Sequence, residues 1–72
     1  MDKKKALARI GMNIRHIRNN KRISQQDLAA LCNFEKSNMS RIEAGRTNLT
    51  IGTLLKICEA LEVKLVDVVD VA

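Results

Sequence analysis

The sequence predicts an all-α protein, a compact bundle of about five short helices, from three observations. Aliphatic residues dominate the apolar fraction, Phe34 is the single aromatic residue, and proline is absent, a composition that favours helices over sandwiches or barrels. Apolar residues recur at helical spacing in several separate segments. Residues that start and stop helices stand between those segments. The 72 residues are expected to make a single domain, 1–72. A domain of that size buries only roughly 60% of the surface its unfolded chain exposes, so modest stability follows.

Leu7, Ile10, Ile14 and Ile17 repeat as one stripe, which predicts an amphipathic helix from about 6 to 20. Lys3, Lys4 and Lys5 precede it and are expected to form a frayed, solvated tail, with nonspecific phosphate contact as the alternative. Ser24, with Asp27 three residues on, has capping-box spacing, so a second helix should start at Gln25. Leu28 and Cys32, with Ala29 beside them, give that helix a small apolar face that ends at Asn33. Asparagine tolerates the left-handed backbone of a sharp turn. Phe34 and Met39 are spaced as a hydrophobic staple for a third helix, although Glu35 is a mediocre cap.

That third helix carries the functional reading. Met39 and Ile42 occupy one face, whereas at about 100° per residue the opposite arc holds Lys36, Ser37, Ser40 and Arg41, with Asn38 at its edge. All five side chains can hydrogen-bond a base edge or a phosphate. Gly45 closes the helix where a left-handed residue is wanted, and Arg46 follows. Residues 24–45 therefore have the layout of a helix-turn-helix that reads DNA. Charge agrees: residues 1–48 hold eleven Lys/Arg against four Asp/Glu, while residues 49–72 hold two against four. The basic half contains the motif, and a clustered positive field attracts polyanions.

The chain resembles the phage repressor/Cro-like (XRE-type) helix-turn-helix family from about Gly11 to Val69. GMNIRHIRNNKRIS looks like the family's first helix, SQQDLA like the opening of its scaffold helix, SRIEAGR like the end of its recognition helix, and TIGTLLKICEALEV like its fourth helix. Asn33 stands where a turn glycine is usual, Glu35 where a Ser, Thr or Asp cap is usual, and Gly52 where an acidic residue is usual. The resemblance implies a lambda-repressor-like fold. It also implies that Gln25 and Gln26 approach phosphate or a base edge, that Lys36, Ser37 and Arg41 enter the major groove, and that Arg46, Thr47 and Asn48 touch backbone. An internal ion pair of Arg18 with Glu43 is implied in the same way.

Thr50 can cap a fourth helix whose Leu54, Ile57, Cys58 and Leu61 point inward. The valine-rich end, 63–72, has two readings. Val66, Val69 and Val71 contribute to a two-fold dimer interface, which is the preferred one, or a short helix around Leu65 to Val69 completes the core through Leu65 and Val68.

These readings point to a sequence-specific transcriptional regulator, repressor or controller in type, that binds a palindromic operator in double-stranded DNA as a homodimer. A protein-interaction module on the same fold, such as an antitoxin acting through a protein partner, is the alternative. It is disfavoured because the outward arc of the third helix lacks a large apolar anchor. No effector domain is expected in the remaining residues. An enzyme is not expected, since nucleophile–base pairs and glycine-rich phosphate loops are missing from the sequence. Cys32 and Cys58 lack CxxC spacing and a histidine partner, so buried thiols are expected rather than a metal or redox site. His16 is expected to face solvent or phosphate. No cofactor, metal or small-molecule ligand is called for, and no stretch reads as a membrane span or a leader, so the cytoplasm is the expected compartment.

Overall fold

The computed structural model describes residues 1–71, and these form five helices: α1 Lys3–Asn20, α2 Gln25–Leu31, α3 Lys36–Glu43, α4 Ile51–Leu61 and α5 Leu65–Val69. One core of buried side chains joins them, with Ile14 from α1, Leu28 and Ala29 from α2, Met39 and Ile42 from α3, Leu54, Ile57, Cys58 and Leu61 from α4, and Val68 from α5. Leu7, Ile10 and Ile17 flank Ile14 only half-buried.

Helix α1 starts three residues earlier than its apolar stripe suggests. Asp2 is the reason: its carboxylate accepts the Lys5 N–H at 2.8 Å, so Lys3–Lys5 form the first turn instead of a frayed tail. Side-chain oxygens start two further helices. Ser24 Oγ accepts from Asp27 N–H at 3.0 Å, and Thr50 Oγ1 accepts from Thr53 N–H at 3.1 Å. Helix α3 has no side-chain cap at Glu35.

Helices α1 to α4 all stop by the same device. A residue one or two positions past each helix sits in the left-handed region: Arg22 at φ 59°, Asn33 at 59°, Gly45 at 72° and Glu62 at 57°. The following N–H then reaches back to the last turn, as Phe34 to the Ala29 carbonyl at 2.8 Å and Arg46 to the Arg41 carbonyl at 2.9 Å. Asn33 and Gly45 are recognisable from residue type. Arg22 and Glu62 are not.

At the C-terminal end the short helix α5 forms, and its i, i+3, i+4 face turns Leu65, Val68 and Val69 toward the core. Of the three valines assigned to a two-fold interface, Val69 is half-buried against its own core, Val71 is half-buried, and Val66 stands exposed. Asn13 of α1 ties the element down. Its Nδ2 donates to the carbonyls of Val68 and Asp70, both at 2.9 Å, satisfying two acceptors at the end of α5.

Candidate nucleic-acid interface

Helix α3 has eight residues, too few to be stable alone, so its position depends on what it packs against. Met39 and Ile42 are buried on its inner face. At its C-terminal end Glu43 is buried, and its carboxylate meets the guanidinium of Arg18 in a fork: Nε donates to Oε2 at 2.8 Å and Nη2 to Oε1 at 3.0 Å. Arg18 Nη1 donates to the Ile23 carbonyl at 2.9 Å, so all three nitrogens of the guanidinium are engaged. Two glycines let backbones close in around this pair. A Cβ at Gly11 would lie 2.7 Å from the Ile42 carbonyl oxygen, and one at Gly45 would lie 2.6 Å from Ala8 Cα. Helix α1 therefore grips the end of α3 through a bidentate ion pair and two contacts that only glycine allows.

With its inner face so held, α3 presents Lys36, Ser37, Ser40 and Arg41 to solvent, and Asn38 is half-buried at the edge of that arc. Gln26, Arg46 and Asn48 are also exposed, and Thr47 is half-buried. The carboxylate of Glu43 is neutralised inside the molecule and does not offset the cations outside. Gln25 differs from its neighbours. It is half-buried, and its Nε2 donates inward to Glu43 Oε1 at 3.2 Å, which joins α2 to the ion pair. The family resemblance implies an approach of Gln25 to phosphate or a base edge; this bond turns its amide nitrogen to the interior.

Cys32 and Cys58 are buried free thiols, and both are pushed above the ordinary thiol range, chiefly by burial. Lys56 partly offsets this at Cys32, whereas Asp67 adds to it at Cys58. His16 is exposed on α1. Among the described residues, no group of His, Cys, Asp or Glu could hold a metal, and no helix is long and apolar enough to cross a membrane.

Comparison with known proteins agrees with this geometry. Residues 13–71 match the family described as the Cro/C1-type HTH DNA-binding domain. The chain belongs to the Cro/C1-type helix-turn-helix family. It is accordingly a transcriptional regulator with a DNA-binding domain and not an enzyme. Over 60 residues this Cro/C1-type chain is 33% identical to the HTH-type transcriptional regulator y4dJ of Sinorhizobium fredii, covering 83% of this chain and 78% of that protein. Its fold superimposes on the restriction-modification controller protein C.AhdI of Aeromonas hydrophila with a TM-score of 0.83 at 29% identity, over 86% of this chain and 94% of that one. The restriction-modification controller protein C.Esp1396I is 37% identical, with a TM-score of 0.77 over 82% of this chain and 77% of its own.

The sequence pattern missed the roles of Gly11 and Asn13 and the inward bond of Gln25. Gly11 lies inside a helix, where glycine is unfavourable, and that misfit was the available signal. The clamp by Asn13 and the inward bond of Gln25 depend on partners 55 and 18 residues away, which periodicity cannot reveal.

Proposed function

We propose that this chain is a sequence-specific regulator, repressor or controller in type, that binds a palindromic operator as a homodimer in the cytoplasm. The exposed arc of α3 carries the reading: four hydrogen-bonding side chains, two of them cationic, stand outward on a helix whose opposite face is locked to α1. In this reading Lys36, Ser37, Asn38, Ser40 and Arg41 address the major groove. Gln26, Arg46, Thr47 and Asn48 hold phosphates and set register, while Gln25 steadies α2 against α3. Likeness to two restriction-modification controllers favours action by occupancy of a site, with the 72 residues working as one domain.

Val66, 62% exposed on α5, supports a two-fold contact, with Val71 at its margin and Val69 as its inner backing. Selection of bound sequences from a random duplex pool, combined with sedimentation of the free protein, tests the whole reading. The expected result is a dimer and a symmetric site whose half-site centres lie roughly 34 Å apart, about one turn of DNA. A selected site without internal symmetry, bound by a monomer, overturns the dimer. Failure to enrich any sequence overturns specific reading.

A further inference from the structure

One stretch of α1 holds two different elements. At Gly11 its backbone lies against the Ile42 and Glu43 carbonyls, and Arg18 forks onto the Glu43 carboxylate, so residues 11–18 fix the end of α3. Between those points Asn13 donates from Nδ2 to the carbonyls of Val68 and Asp70, both at 2.9 Å, which fixes the end of α5. Among the described residues α1 packs against both α3 and α5, whereas α3 and α5 share no extensive packing with each other. The reading helix and the helix that carries Val66 are therefore related chiefly through α1.

Helix α5 has five residues and cannot hold its own position. Val68 is buried in the core, and Leu65 and Val69 are half-buried against it, where α4 also meets α5. Apolar contact of this kind is non-directional, so it keeps α5 on the core without setting its rotation. Hydrogen bonds are directional. Two of them from one amide nitrogen, to carbonyls two residues apart, fix how far α5 is turned, and with it the direction of the exposed Val66.

In a dimer joined through α5, the turn of α5 relative to α3 decides how far apart, and at what relative angle, the two copies of α3 meet DNA. We propose that Asn13 is a positioning residue for operator spacing: it touches neither DNA nor the partner subunit, and through α5 it selects the number of base pairs between half-sites. This rests on the dimer reading above. Base preference within each half-site belongs to α3 and its hold by Gly11 and Arg18, which Asn13 leaves untouched.

The test compares wild type, Asn13→Ala and Asn13→Asp. Alanine removes both bonds and suits the middle of a helix, so melting should stay near wild type; aspartate keeps the shape and loses the donors. Each protein is titrated on the selected operator, on versions with one base pair inserted or removed between the half-sites, on single-base variants within a half-site, and on one half-site alone. One base pair shifts the half-sites by about 3.4 Å and turns them by about 35°. Wild type should lose affinity about tenfold or more on the altered spacings, as for a mismatched base pair. In both variants that penalty should shrink several-fold, with weaker binding at the selected spacing and unchanged base preference. A spacing penalty equal to that of wild type overturns the proposal, whether or not melting or overall affinity falls, because Asn13 is then only structural. Relaxed base preference within a half-site also overturns it, since α3 itself has then moved. So does a variant that binds the full operator no better than the half-site, since the contact itself is then lost. If wild type sediments as a monomer and ignores spacing, the dimer reading fails and this one falls with it.

Discussion

Replacing Glu43 with alanine should nearly unfold this protein. The substitution removes the partner of two guanidinium donors, at 2.8 and 3.0 Å, and the acceptor of the Gln25 amide at 3.2 Å. Gln25 is half-buried and can rehydrate. Arg18 cannot, because its side chain is only 10% exposed and keeps one bond, to the Ile23 carbonyl. Stranding a buried charge costs about 3–5 kcal/mol. Set against a total of about 4–11 kcal/mol for 72 residues, that is about a quarter or more of the stability. Urea and thermal melts followed by helical circular dichroism would measure it. The companion variant Arg18→Met/Glu43→Leu removes both charges and fills the space with apolar atoms, so it should melt close to wild type. An unchanged melting temperature for Glu43→Ala would refute the reasoning, since it would mean that the guanidinium finds water at no cost.

Other outcomes follow from the same geometry. Arg41→Ala should cost roughly 1–3 kcal/mol on the preferred operator and relax preference at one base pair per half-site, whereas Arg46→Ala should weaken all duplexes alike and lower the salt slope by about one per subunit; titrations on operator, single-base variants and unrelated DNA distinguish them. Gly11→Ala places a Cβ 2.7 Å from the Ile42 carbonyl oxygen and should destabilise despite its helix-propensity gain of about 1 kcal/mol. Gly52→Ala meets nothing nearer than Thr50 Oγ1 at 3.8 Å and should raise the melting temperature by a few degrees, about 4–8 °C per kcal/mol. Burial raises both thiols, so the native state holds their protons more tightly than the unfolded chain; the stability this gives is present below the ordinary thiol value of about 8.5 and is lost as pH rises through it and beyond, which melts from pH 7 to 10 would show.

The helices were legible in the sequence because each buries a stripe whose period is local. Leu54, Ile57, Cys58 and Leu61 needed nothing beyond spacing to be placed inward. The first turn of α1 was not legible: the stripe begins at Leu7, and three lysines look solvated whether helical or frayed. The end of the chain had two readings because five residues satisfy both an exposed and a buried pattern, and the packing of Val69 on its own core depends on α1, which Asn13 ties to α5. The outward arc of α3 could be read from periodicity. The meeting of Arg18 with Glu43 came from family resemblance, since a contact across 25 residues leaves no periodic trace.

Helix α3 divides its labour by position, and this sets how such a protein can change. Its hold on the fold comes from Met39, Ile42 and Glu43, all buried, and from Gly45 just beyond. Lys36, Ser37, Ser40 and Arg41 are exposed and take no part in that hold. Exposed substitutions of this kind shift stability by only about 0.5 kcal/mol or less. Exchanging all four for other polar helix formers should therefore leave the melting curve within a few degrees of wild type while moving the selected operator to a new sequence. A large loss of stability in such a variant would mean that the arc helps to hold α3, and that reading and folding are not separable in this domain.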